Sequence, residues 1–181
     1  MKKLLYILGG IIVLIIIIAI VGGGGGEKKE TTPSTEKVPT VYSINQNVKV
    51  GNAMWTLLAA EDKGSILKGS ESKYPDWYED KITTGKFIRI TLEVENTGTI
   101  TESWWTEPTL IDEKNREFKP ASEVYAWIPE EKQPTLKELH PGITQQFIWI
   151  YEVPTDAAGL KVKVKDIATP SKGEALINLS L

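Results

Sequence analysis

The sequence of 181 residues contains no cysteine and a single histidine. Without cysteine there is no disulfide framework, no thiolate metal site, no cysteine nucleophile, and no attachment point for a bacterial-type lipid anchor. The absence does not report the redox compartment, because a domain with an adequate core needs no disulfide. The lone His140 has no second imidazole with which to hold a metal. It stands in Leu139-His140-Pro141-Gly142, where a Pro-Gly turn is the simpler reading. Positive charge is also scarce. Beyond Lys2 and Lys3 the chain carries 19 basic against 24 acidic residues, a net charge of −5. Nucleic-acid binding needs a basic stripe, and none is visible. Lys161, Lys163 and Lys165 alternate with Val162 and Val164, the pattern of a strand with one solvated face.

One long apolar run is present. Eighteen residues from Leu4 to Val21 carry no charge, enough for a helix of about 27 Å, close to the hydrocarbon thickness of a bilayer. In lipid a single segment must satisfy its backbone internally, so a helix is expected despite the isoleucines. Lys2 and Lys3 precede the run, whereas Glu27-Lys28-Lys29-Glu30 after it sums to zero. The positive-inside rule then keeps the N-terminus cytoplasmic and sends the remainder outside. A cleaved signal peptide, cut near Val21-Gly22-Gly23, is the competing reading. The expected organisation is an N-terminal transmembrane signal anchor over 1–21, a Gly/Thr/Pro linker over 22–40, and a domain over 41–181. Such a linker reaches about 20–25 Å in root-mean-square terms.

From Val41 onward the chain shows short alternating runs broken by Gly, Pro, Asn and Asp, without helical periodicity. Strands are predicted over 41–50 and 53–60, joined at Gly51-Asn52, and over 87–95, which ends at Asn96-Thr97-Gly98. Further strands are predicted over 104–111, 145–153, 160–166 and 175–181. In the strand over 145–153, Phe147, Trp149, Tyr151 and Val153 share one side and the other side is mixed, so both faces are expected to be covered. The expectation is an all-β, antiparallel β-sandwich of about 7–9 strands, with a β-barrel as the structural alternative.

The succession ITLEVENTG, LIDEKNREF, LHPG and FIWIYEVP resembles a widespread family of secreted or membrane-anchored immunoglobulin-like domains of unknown function. The resemblance spans residues 47–181 and implies an immunoglobulin-like fold and an exported location, with no catalytic residues. The chain departs from the family's pattern in lacking the lipidated cysteine and in a long insertion over 61–85.

Candidate chemistry is sparse. Asp76, Glu79 and Asp80 in KYPDWYEDK could describe a glycosidase pair or a calcium site, but the alternate oxygen spacing of a calcium loop is missing. A second acidic run, Asp112 to Glu117, has the composition of a hairpin turn. Trp55 and Trp149 fall within strands and are expected in the core, and of the adjacent Trp104 and Trp105 one is expected there. Trp77, Tyr78, Tyr125 and Trp127 lie in long segments outside the strands, where function often resides. They form either a platform for a sugar ring or a partner protein, or a local core that covers a sheet face. Asn178-Leu179-Ser180 matches the N-glycosylation sequon.

The expected function is a membrane-anchored, extracytoplasmic, non-catalytic binding module without cofactor or metal. It contacts the membrane through residues 4–21 and takes another envelope protein or a glycan as partner. A structural subunit of an envelope complex is the alternative, and a hydrolase on the acidic-aromatic loop is the third.

Overall fold

The computed structural model describes residues 40–103, 107–135 and 137–181. The expected membrane span, the linker up to residue 39, and Trp104 and Trp105 lie outside the described residues. Among the described residues no helix is long and apolar enough to cross a membrane.

The strands are β1 (Val41–Tyr42), β2 (Asn47–Val50), β3 (Ala53–Leu67), β4 (Lys81–Asn96), β5 (Glu102–Ser103), β6 (Thr109–Ile111), β7 (Glu117–Phe118), β8 (Glu138–Leu139), β9 (Thr144–Val153), β10 (Lys161–Lys165) and β11 (Glu174–Asn178). They form a five-stranded sheet in the order β1-β11-β10-β6-β7, a four-stranded sheet in the order β2-β3-β4-β9, and the small pair β5-β8. Alternation explains the pairing of the two large sheets into a sandwich. Ile88, Ile90, Leu92 and Val94 of β4 pack with Trp55, Phe147, Trp149 and Tyr151 of the same sheet, and with Leu110, Val162, Val164 and Ile177 of the opposite one. The lysines of β10 take the other face at period two, and Lys163 pairs with Glu117 at 2.6 Å.

Three buried polar side chains organise the turns. Asp166 accepts hydrogen bonds from the backbone N–H groups of Asn52 (2.9 Å), Ala168 (3.2 Å) and Lys172 (3.2 Å), joining the β2–β3 turn to the β10–β11 loop. Gly51, at φ +56°, has no room for a Cβ, which would fall 2.0 Å from the Asp166 carboxylate. At the same end of the molecule Asn96 donates to the carbonyls of Ile100 (2.8 Å) and Leu139 (2.7 Å), and its side-chain oxygen accepts from Gly98 N–H at 2.9 Å. Asp112 closes the β6–β7 hairpin by accepting from the N–H groups of Lys114 and Arg116, both at 2.9 Å.

The predicted insertion over 61–85 is the end of β3, a loop over 68–80 and the start of β4. β3 and β4 pair continuously from Ala53↔Asn96 to Leu67↔Lys81 and extend as a ribbon beyond the sandwich. Register shifts at Leu57/Ala59, Asp62/Gly64 and Gly64/Ile66 interrupt the alternation, since each bulge flips which face a side chain occupies. Gly64, at φ +68°, sits in this irregular stretch. β2 pairs with β3 only as far as Thr56. From Leu57 onward, among the described residues, β3 has no strand on its other side.

The segment over 119–135 folds back on the outer face of the four-stranded sheet. Its 3-10 turns Ser122–Trp127 and Glu130–Lys132 place Val124, Trp127 and Ile128 against Leu67, Phe87, Ile148 and Ile150, forming a second core. Residues 147–151 of β9 are therefore consecutively buried, as the mixed pattern of that strand predicts. Backbone bonds fix the cover, from Ala121 N–H to Ile150 O at 2.9 Å and from Lys73 N–H to Ala126 O at 2.6 Å.

Candidate functional site

The ribbon ends in a loop over 68–80 whose local bonds stack its aromatic rings. Asp80 accepts from Lys68 Nζ at 2.7 Å and from Gly69 N–H at 2.9 Å, closing the base of the loop. Gly69 lies so near the Tyr78 carbonyl that a Cβ would come within 2.0 Å of its oxygen. The N–H groups of Trp77 and Tyr78 both donate to Tyr74 O, at 3.0 and 3.2 Å. This single turn brings residues three and four apart onto one side. Tyr74 and Trp77 stack with centroids 5.6 Å apart and planes 26° from parallel, and Tyr74 and Tyr78 lie 6.4 Å apart at 21°. Trp77 is 82% exposed, Tyr74 44% and Tyr78 41%. Lys73 Nζ lies 5.3 Å from the Tyr74 ring centroid and pairs with Glu130.

The four aromatic residues expected at a binding face divide. Trp77 and Tyr78 are on the exposed shelf. Trp127 is only 7% exposed, donates its indole N–H to Lys68 O at 2.7 Å, and meets Tyr78 edge-on at 5.5 Å. Trp127 belongs to the second core. Tyr125 is half-buried against the same core and donates its hydroxyl to Glu107 at 3.3 Å. Burial, then the Glu107 carboxylate, push its phenol above the usual range. Tyr74 completes the shelf and is not among the four. Its spacing of three and four residues before Trp77 and Tyr78 was the signal that could have found it.

Beside the shelf is a cleft of about 490 Å³, lined by Ser72, Lys73, Arg89, Trp127, Pro129 and Glu131 among others. Ser72 and Lys73 of the lining are followed in the chain by Tyr74 of the shelf, whose N–H donates to the Ser72 hydroxyl at 3.3 Å.

The remaining candidates lie elsewhere. Asp76 and Glu79 are exposed, while Asp80 is engaged at the base of the loop. No group of three metal-ligating side chains converges among the described residues. Asp112 is buried beneath Arg116, which bridges it at 2.6 Å to Asp156 at 2.9 Å. Hydrogen bonds from Lys114 and then Arg116 hold the Asp156 carboxyl at about 2. His140 is exposed, with Nδ1 3.0 Å from the Thr101 hydroxyl. Asn178 is exposed at the end of β11, where its side-chain oxygen accepts from Ser180 N–H at 2.8 Å.

The fold has counterparts among solved structures. The yjhA protein of Bacillus subtilis superposes with a TM-score of 0.55 at 14% identity, over 76% of this chain and 98% of its own. A conserved hypothetical protein of Bacillus anthracis gives 0.52 at 17%, over 67% of this chain and 87% of its own. MPT63, a secreted protein of Mycobacterium tuberculosis, gives 0.50 at 7%, over 77% of this chain and 98% of its own. At these identities the likeness is one of fold. No protein-family model and no curated protein matches the chain.

Proposed function

We propose that this is a non-catalytic binding module of the immunoglobulin-like kind, held outside the cell by an anchor over residues 4–21. Its contact surface is the aromatic shelf Tyr74, Trp77 and Tyr78. The observation that carries this reading is Trp77, whose ring is stacked on Tyr74 yet 82% exposed. Local bonds orient the ring while no core covers it, and large rigid aromatics so displayed are characteristic anchors of binding surfaces. The engaged carboxylate of Asp80 and the exposed positions of Asp76 and Glu79 support a role without chemistry. A tether near the membrane would raise the module's effective concentration for envelope partners.

The test is capture from native membranes with the full chain as bait. Wild type should retain a partner that the Tyr74/Trp77/Tyr78→Ala variant loses, with both proteins melting at the same temperature. Undiminished capture by the variant would sink the reading.

The alternative, a structural envelope subunit, draws on a different feature. Ile66 and Ile82 are cross-strand partners on the ribbon and are 37% and 68% exposed. Ile82→Lys should abolish assembly in that case and leave the shelf's partner bound in the other.

A further inference from the structure

The cleft beside the shelf contains a cation that its own surroundings do not satisfy. On β4, Ile88 and Ile90 face the main core, so Arg89 between them points to the outer face, beside the second core. Its register neighbours are Glu61 on β3 and Ile150 on β9. Lys73, the other cation in the cleft lining, is paired with Glu130, and Lys63 holds Glu71 of the lining at 3.4 Å. Arg89 makes no ion pair among the described residues, and its Nε is buried without a hydrogen-bond partner. A buried N–H left unpaired is costly. The terminal N–H groups of a planar guanidinium match a two-oxygen acceptor in a fork.

We infer that the ligand of the aromatic shelf is an acidic saccharide, one ring lying on Tyr74 and Trp77 and a carboxylate of the same chain paired with Arg89. This rests on the shelf being the contact surface. The carboxylates of Glu71 and Glu130 also line the cleft, but Lys63 and Lys73 neutralise them. Glu131 in the lining and Glu61, the cross-strand partner of Arg89, remain as negative groups, which disfavours two charges on a single group and selects a carboxylate over a phosphate monoester. The shelf selects the body of the ligand. Its rings lie within 26° of parallel, and Trp77, 82% exposed, presents flat area that the C–H face of a pyranose covers. Lys73, Asp76 and Glu79 stand within the same loop to meet hydroxyls.

The experiment titrates the full chain with a hyaluronan tetrasaccharide and with the same tetrasaccharide whose carboxyl groups have been reduced to hydroxymethyl. Wild type should bind the acidic form about tenfold tighter, the scale of one charge-assisted pair. Arg89→Gln should bind both forms equally, and Trp77→Ala should bind neither. Arg89→Lys keeps the charge without the fork and should also lose the preference, which separates recognition from any change in folding. Equal affinity of wild type for both forms, a preference surviving in Arg89→Gln, or no saccharide binding would each overturn the inference. Stronger binding of an acidic peptide would assign the cleft to a protein partner and overturn it too. If Trp77→Ala loses its membrane partner while no saccharide binds, the shelf stands and only the acidic-saccharide assignment falls.

Discussion

Asn96 shows how much of this molecule's specificity resides in single buried polar groups. Its amide serves two carbonyls and its oxygen one N–H, so no apolar residue replaces it without stranding partners. Asn96→Ala should cost about 2–3 kcal/mol, read as a lower urea midpoint at an unchanged slope. Asn96→Asp should fare worse, because a carboxylate cannot donate to those carbonyls. Asp166 sets a pH dependence. Burial raises its carboxyl, but the N–H groups of Asn52, Ala168 and Lys172, with the Lys172 charge, outweigh it and leave the folded value below the usual 3.8. Its contribution is therefore complete above about pH 4 and is lost as the pH falls through the depressed folded value. Asp166→Asn should lower the melting temperature at pH 7 and narrow the drop between pH 7 and pH 2.5. Asp156, also held below the usual range, is half-exposed, and its pairs add little.

At the scale of elements, two loop tryptophans separate by what covers them. Trp127→Ala opens the second core and should cost about 3–5 kcal/mol, whereas Trp77→Ala should stay within about 0.5 kcal/mol of wild type. Chemical denaturation of the pair checks both. The sequence could not distinguish these two rings, since both lie in segments without alternation and only tertiary cover divides them. Where one sheet face is buried, the pattern was legible. β4, β9 and β10 were readable from Ile88 to Val94, from the mixed side of 145–153, and from the lysines of 161–165. The ribbon was not, because three bulges break its period and Glu61-Asp62-Lys63-Gly64 has the composition of a turn. The motifs that suggested a family, Asn96-Thr97-Gly98 and the Asp112 hairpin, proved to be hydrogen-bond nodes of turns. That is why they spoke of shape and were silent about the site.

For the whole domain, direction matters. β1 runs parallel to β11 with Val41 beside Leu176, so the chain enters from the end marked by Asp166 and Gly51. β3 starts at that end and carries the loop over 68–80 away from it, a distance of about 50 Å over its fifteen residues. The aromatic shelf is thus displayed at the pole of the domain opposite Asp166 and Gly51. Because the chain lacks cysteine, one introduced thiol labels uniquely. Two such thiols, at Lys172→Cys and Trp77→Cys, should carry dyes on the order of 50 Å apart when read by energy transfer, and a separation below about half of that would contradict the arrangement. The same ribbon bears on crowding. Molecules confined to a surface meet far more often than in solution, and a straight, bare strand margin would let them zip together. Here the margin of β3 beyond Thr56 is crooked at three points and lined by Glu61, Asp62 and Lys63, a poor template for a neighbour. Copies of this domain brought side by side therefore find no straight edge along this margin on which to pair.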